Sequence, residues 1–240
     1  MISIIIPTLN EEELLPNLLE SIDKQTFKDY EIIIADAGSK DNTISIAKKH
    51  NARVVKGGVP AVGRNNGAKA AKGDILLFLD SDSRIPTDFL EKAIKEFKGR
   101  NLGSATVSLI PISTKFRDKL MYDSYNAWQK MVQYVDPHAA GICIFSRKDI
   151  FDKTNGFDEG ITFCEDHAFV RKTKRHGKFR VINNTKLYNS VRRLDSEGRA
   201  NMALKMIYTS FYRTFIGEIK QNNFTWIPGS TSEDKSKPSN

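Results

Sequence analysis

Apolar residues fall in short, nearly unbroken runs at Ile2 to Ile6, Glu31 to Ala35, Ala52 to Val55 and Asp74 to Leu79. Runs without a polar face predict strands covered on both sides. Between them the period becomes helical. Leu14, Leu15, Leu18, Leu19 and Ile22 form one stripe, and Asn10 with Glu13 three positions on predicts an N-cap and capping box for a helix ending near Gln25. Asp41-Asn42-Thr43 predicts the cap of a second helix, Val62 to Lys72 a third, and Thr87 to Phe97, after Pro86, a fourth. This alternation predicts an α/β fold whose Rossmann-like, mostly parallel sheet is flanked by helices.

The second half is less regular. It predicts a strand at Ser104 to Ile110, a helix around Lys115 to Val135, a strand at Gly141 to Ser146 and then short helical pieces, a smaller α+β half. Met121, Tyr122, Tyr125 and Trp128 are expected in the core. From Asn201 to Lys220 a helical stretch mixes Met206, Ile207, Phe211, Phe215 and Ile219 with Lys205, Arg213 and Lys220. Its apolar residues face either the core or an anionic membrane surface. After Pro228 the segment has nothing to bury, so residues 223–240 are expected to be a flexible tail.

In open parallel sheets ligands sit beyond the carboxyl ends of the strands. Three runs end in polar residues there: Pro7-Thr8-Leu9-Asn10-Glu11-Glu12, Asp36-Ala37-Gly38-Ser39 and Asp80-Ser81-Asp82. If residues 80–82 are extended, side chains 80 and 82 point the same way and two carboxylates converge on one hard cation, Mg²⁺ or Mn²⁺, with its phosphates. Otherwise they are turn formers before Pro86. Asp36, with Gly38 to bend the chain, suits a hydrogen bond to a nucleobase or ribose, or belongs to an ordinary capped loop. Gly63-Arg64-Asn65-Asn66-Gly67 sets a cation near a helix start, where Arg64 can reach phosphates or base; GxxxG spacing itself speaks for close packing.

With 240 residues, 40% hydrophobic and 28% charged, the chain can bury one full core. Its net charge of +8, 37 Lys+Arg against 29 Asp+Glu, favours polyanionic partners: nucleotide diphosphates, nucleic acid or anionic lipid. The scattered cations and lack of an RNA or DNA motif argue against nucleic acid. Cys143 and Cys164 have no CxxC spacing, so buried free thiols are expected rather than a disulfide framework or zinc site. The first residues lack signal-peptide features, and no apolar run nears the ~20 residues that span a bilayer. The expected location is cytoplasmic, peripheral rather than integral.

Taken together the motifs resemble the family 2 glycosyltransferases, which have the GT-A fold and use nucleotide-diphosphate sugars. The resemblance rests on Ile4-Ile5-Ile6-Pro7-Thr8-Leu9-Asn10-Glu11-Glu12, Asp36 to Thr43, Gly63 to Ala68 and Leu79-Asp80-Ser81-Asp82, in the family's order, and continues through Gly156-Phe157-Asp158-Glu159 and Glu165-Asp166. It implies a nucleotide-sugar-binding half at 1–112 and an acceptor-binding, catalytic half at 113–222. Pro7, Thr8, Glu11, Asp36 and Gly38 would line the nucleoside pocket. Arg64, Asp80 and Ser81 would contact the nucleotide, and Asp82 with Asp80 would hold the metal.

It further implies that Asp166 is the catalytic base of an inverting transfer, kept ionised by N–H groups at a helix start; by spacing alone, Glu165 and Asp166 would cap that helix. Arg192-Arg193 resembles a late basic motif that closes over the diphosphate. Gly141 to Ser146 matches the strand beneath the acceptor site, Gly141 being the small residue where sugar nears the backbone. His138 is expected to be a loop residue or to touch sugar, and His167 has no second His at ligand spacing. The chain lacks the Gln-x-x-Arg-Trp motif of processive synthases, so a single transfer to a glycan or polyprenyl-linked acceptor is expected. The alternatives are nucleotidyl transfer, whose Gly-rich, Arg-bearing loop is missing after the first run, and a nucleotide-sugar-binding module without turnover.

Overall fold

The computed structural model describes residues 1–161, 164–215 and 217, with the side chains at 206, 207, 210, 211 and 213–215 outside that description. The expected tail, with Ile219 and Lys220, therefore lies outside the described residues, as do the side chains of Met206, Ile207, Phe211, Arg213 and Phe215.

In chain order the elements are β1 (Ile2–Thr8), α1 (Leu15–Asp23), β2 (Tyr30–Asp36), α2 (Thr43–Lys49), β3 (Arg53–Lys56), α3 (Pro60–Ala70), β4 (Ile75–Leu79), β5 (Ser83–Arg84) and α4 (Phe89–Gly99). There follow β6 (Leu102–Ile112), α5 (Phe116–Val132), β7 (Cys143–Arg147), α6 (Lys148–Lys153), α7 (Glu165–Thr173), β8 (Lys178–Ser190), α8 (Arg192–Glu197) and α9 (Arg199–Phe215). One eight-stranded sheet runs β3-β2-β1-β4-β7-β6-β8-β5. The β1–β2, β1–β4, β2–β3 and β6–β8 pairs are parallel, and β7 is antiparallel to both β4 and β6. The predicted mostly parallel α/β sheet is what the chain forms, with strands of both halves in one sheet.

Alternation along β1 and β4 assigns each apolar side chain to a layer. Ile4, Ile6, Leu77 and Leu79 pack with α1 and α4, whereas Ile5, Leu76 and Phe78 pack on the other face. All seven are fully buried, each stabilising by about 1.5–3 kcal/mol relative to exposure. A Cβ at Gly67 would collide with the Ile5 side chain, so the GxxxG spacing in α3 serves close approach of helix to strand.

Four expectations are corrected. Asn10 is not the N-cap of α1, which starts after Leu14 without a side-chain cap. Asn10 adopts φ +53° and its Oδ1 accepts from the Lys40 amide at 2.9 Å, because residues 10–12 brace the loop after β2. The Glu11 amide donates to Thr43 Oγ1 at 2.8 Å and the Glu12 amide to Asp41 Oδ2 at 3.1 Å. Second, residues 178–190 are a long strand rather than short helical pieces; polar Asn183 to Lys186 lie at a register shift against β6 and hide its pattern. Third, the α5 residues expected in the core reach it only in part: Tyr122 and Tyr125 pack on the main core and Met121 on a small cluster, all half-buried like Trp128, while Asp118 and Gln129 are the helix's fully buried residues. Fourth, Cys143 is buried but Cys164 is half-buried, at φ +63°.

Candidate active site

Register brings the first two polar ends together: Thr8 pairs with Asp36 across β1 and β2. Asp36 Oδ1 accepts from the Gly38 and Ser39 amides at 3.0 and 2.9 Å, and Oδ2 from Thr8 Oγ1 at 3.1 Å and Ser39 Oγ at 2.5 Å. These four bonds use about all the lone pairs a carboxylate offers, so Asp36 organises its own loop. Gly38 makes the bend at φ +97°. Pro7 is half-buried beneath α3, where a Cβ at Gly63 would lie 3.3 Å from its ring.

Asp80-Ser81-Asp82 is a turn, not the extended segment expected: the Ser83 amide donates to the Asp80 carbonyl at 3.3 Å. The turn forms because β5 reverses away to pair with β8. Asp80 and Asp82 nonetheless act on one another. The Asp82 carboxyl is pushed up to about 7, first by desolvation, then by the charges of Asp80 and Glu11, with Arg192 opposing. Its Oδ1 accepts from Asn189 Nδ2 at 3.0 Å, and Asn189 Oδ1 from the Tyr122 hydroxyl at 3.1 Å. Ser81, between the two acids, is buried.

Arg64, only 3% exposed, joins the halves. Its guanidinium donates to Glu165 Oε1 at 2.7 Å and Asp80 Oδ1 at 3.0 Å, and lies 5.4 Å from the Phe157 ring centroid. Burial works against that charge, yet Asp80, Glu165 and Asp166 hold its pKa above the ordinary value. Glu165 is raised by burial and by Asp166, with Arg64 pulling the other way. Asp166 accepts from the Gly141 amide, in the loop before β7, at 2.5 Å and from the His167 amide, in the first turn of α7, at 2.7 Å. A Cβ at Gly141 would strike the Arg64 guanidinium, so the lack of a side chain at Gly141 admits Arg64.

On the opposite side Arg192 makes a two-pronged ion pair with Glu11, at 2.8 and 3.2 Å. Arg193 instead pairs with Glu197 at 2.8 Å along α8, and no described bond ties it to the cleft. His138 is a buried loop residue that meets the Trp128 ring edge-on at 4.5 Å and the His167 ring edge-on at 4.8 Å.

The resulting cluster sets five carboxylates, Glu11, Asp80, Asp82, Glu165 and Asp166, against two guanidinium groups, Arg64 and Arg192. Among the described residues no three acidic, His or Cys side chains converge into a complete metal site. Two hard oxygen donors beside an excess of negative charge still fit Mg²⁺ or Mn²⁺, which take one or two carboxylates and fill other positions with phosphate and water. Sequence reasoning missed Asn189, which sits on the strand it missed; it counted Glu165 in the family resemblance and as a possible helix cap but gave it no role at the site. A buried Arg with two carboxylate partners becomes visible only in three dimensions.

A mostly parallel sheet with acidic groups gathered beyond the carboxyl ends of β1, β2 and β4 puts the candidate site where open α/β sheets bind their ligands. Residues 3–124 match the model of the family described as Glycosyl transferase family 2, and the chain belongs to that family. The Poly(ribitol-phosphate) beta-glucosyltransferase of Bacillus spizizenii is 38% identical over 100 residues, 37% of this chain but 16% of that protein. S. aureus TarS 1-349 in complex with UDP-GlcNAc superposes with a TM-score of 0.65 at 22% identity, covering 79% of this chain and 58% of that one. The mannosyltransferase PcManGT of Pyrobaculum calidifontis, in complex with GDP-Man and Mn2+, gives 0.67 at 20% identity, with 86% and 64% covered. The chain thus spans less than two thirds of each, and the fold is GT-A.

Proposed function

We propose that this chain transfers a single sugar from a nucleotide-diphosphate sugar to a hydroxyl or phosphate acceptor, a glycan or a polyprenyl-linked lipid, with inversion. The observation that carries the reading is the surplus of carboxylates around Asp80 and Asp82 at the sheet's carboxyl edge. Such a cleft repels a bare diphosphate and accepts one that arrives with a divalent cation. That cation, Mg²⁺ or Mn²⁺, supplies charge neutralisation for the departing diphosphate when bound at Asp80 and Asp82.

In this reading Asp166 takes the proton from the acceptor hydroxyl on the face opposite the departing nucleotide. The Gly141 and His167 amides donate to its two oxygens and hold it in place. Arg64 fixes Asp80 and Glu165 in place; any contact of Arg64 with nucleotide adds to that role. Arg192, paired with Glu11, can exchange that carboxylate for a phosphate oxygen. Thr8, Asp36 and Gly38 shape the nucleoside end, where base contact requires Asp36 to give up one of its four internal bonds. Among the described residues no helix is long and apolar enough to cross a membrane.

The test incubates the chain with UDP-, GDP- and dTDP-sugars and Mn²⁺, following donor hydrolysis and transfer to lipid-linked and glycan acceptors. Turnover of one donor class, falling on the order of 100-fold in Asp166→Asn while donor still binds, supports the reading. Release of pyrophosphate from nucleoside triphosphates, or donor binding without turnover on any acceptor, would refute it.

A further inference from the structure

The segment 138–142, which leads into β7, touches both halves of the candidate site. Its Gly141 amide donates to Asp166 Oδ2 at 2.5 Å, and the Gly141 carbonyl accepts from Arg64 Nη2 at 3.4 Å. The Ile142 carbonyl accepts from the Asp80 amide at 3.2 Å. The downstream end is fixed by the sheet, where Cys143 pairs with Leu79 of β4. The upstream end, His138 to Ala140, lies outside any strand. There the His138 carbonyl accepts from Gln129 Nε2 at 3.1 Å, a side chain of α5 that is 1% exposed. The same nitrogen donates to the Tyr125 hydroxyl, one turn earlier on α5, at 3.3 Å.

Gln129 is a costly residue for packing alone. Its Oε1 is buried and meets no donor among the described residues. An unmade bond on a buried amide is unfavourable, so Leu or Met would fill similar space at less cost. Neither would supply an N–H aimed at the His138 carbonyl.

We infer that Gln129 is a positioning residue for the transfer: by holding the His138 carbonyl it fixes the segment whose Gly141 amide aims Asp166 at the acceptor hydroxyl. The inference rests on the reading of Asp166 as the base. Gln129 acts from behind the site, through the backbone between His138 and Gly141. A carboxylate displaced by about an ångström loses its alignment with the hydroxyl proton, a loss on the order of 10- to 100-fold in rate. Asp80 is affected less, because its contact at Ile142 adjoins the β4–β7 ladder. The effect therefore falls on the chemical step rather than on donor binding.

Gln129→Met keeps the volume and removes both polar atoms. It leaves the His138 carbonyl without its donor but also removes the orphaned Oε1, so the two effects oppose and the melting temperature should stay close to wild type. The kcat for transfer should fall about tenfold or more while donor KM and donor affinity in Mn²⁺ hold. In the Asp166→Asn background the same substitution should change kcat by less than about twofold, because the group it aims is already gone. Gln129→Leu should repeat the pattern and serves if the Met variant does not fold. Hydrogen exchange at the Gly141 amide, which needs no turnover, should quicken about tenfold or more in either variant. Unchanged Gly141 exchange, a wild-type kcat, or an equal loss of kcat in both backgrounds would overturn the inference while leaving the transferase reading in place. Quickened Gly141 exchange in a protein whose wild type turns over no donor would instead remove the transferase reading, and the positioning role with it.

Discussion

The layer around β1, β2 and β4 and the layer built by α5, β8 and α9 share apolar core but differ in how much buried polar contact they add. In the first, side chains such as Ile5, Leu77 and Phe78 are apolar and wholly enclosed. In the second, buried apolar side chains such as Ile182 and Leu187 are joined by polar contacts that reach across the sequence. Asp118 meets Arg199 from 81 residues away, and Gln133 Oε1 accepts from the Val181 amide at 2.9 Å. Apolar burial is non-directional and tolerates an open edge, whereas polar anchors fix one arrangement because each unmade bond is costly. The candidate active site lies on the seam between the two, where Arg64 reaches Glu165 and Arg192 reaches Glu11.

The sharpest way to break the comparison is at the seam. Arg64→Met should cost about 3–5 kcal/mol in denaturant unfolding, since it strands Glu165 and Asp80 without their cation. A variant as stable as wild type would mean that Arg64 does not couple the halves. Next, Leu77→Ala in the apolar layer should cost about 2–5 kcal/mol and lower the whole melting transition in one step. Two separated transitions would show that the layers unfold independently. Smaller is Asn189→Ala: with its bond to Asp82 gone, Mn²⁺ affinity measured by titration calorimetry should fall about tenfold or more at little cost in stability.

The smallest effect belongs to the polar layer's far edge. Bonds from Arg199 and Ser113 hold the Asp118 carboxyl well below the usual carboxylate range. A depressed folded value adds stability that is complete above the unfolded pKa of about 3.9 and is lost as pH falls through the lower folded one. Hydrogen exchange in α9 should thus stay slow at pH 5 and accelerate only in strong acid, and Asp118→Asn should accelerate it already at pH 7 with little change in global melting.

What was legible in the sequence follows the same divide. Unbroken runs such as Ile2 to Ile6 predicted β1 to β4 within a residue or two, because continuous apolarity has few other uses in a short segment. The long strand β8 was not legible: its pattern breaks at Asn183 to Lys186, where pairing with β6 slips. Asn10 looked like a helix cap because an Asn before a leucine stripe usually is one; only its partner Lys40, thirty positions on, shows its actual employment. At the site, the polar ends of three strands were readable, but Glu165 as a partner of Arg64, and Asn189 behind Asp82, depend on contacts across 101 and 107 residues. Arg193, adjacent to Arg192 in sequence, turns instead to Glu197.

Titration calorimetry with the UDP-, GDP- and dTDP-sugar panel, run in Mn²⁺ and in EDTA on wild type and Asp82→Asn, addresses the metal-and-phosphate clamp most directly. One donor class should bind about tenfold or more tighter with Mn²⁺ than with EDTA, and Asp82→Asn should erase that gain while keeping the wild-type circular dichroism spectrum. Equal affinity in Mn²⁺ and EDTA, undisturbed by Asp82→Asn, would contradict it.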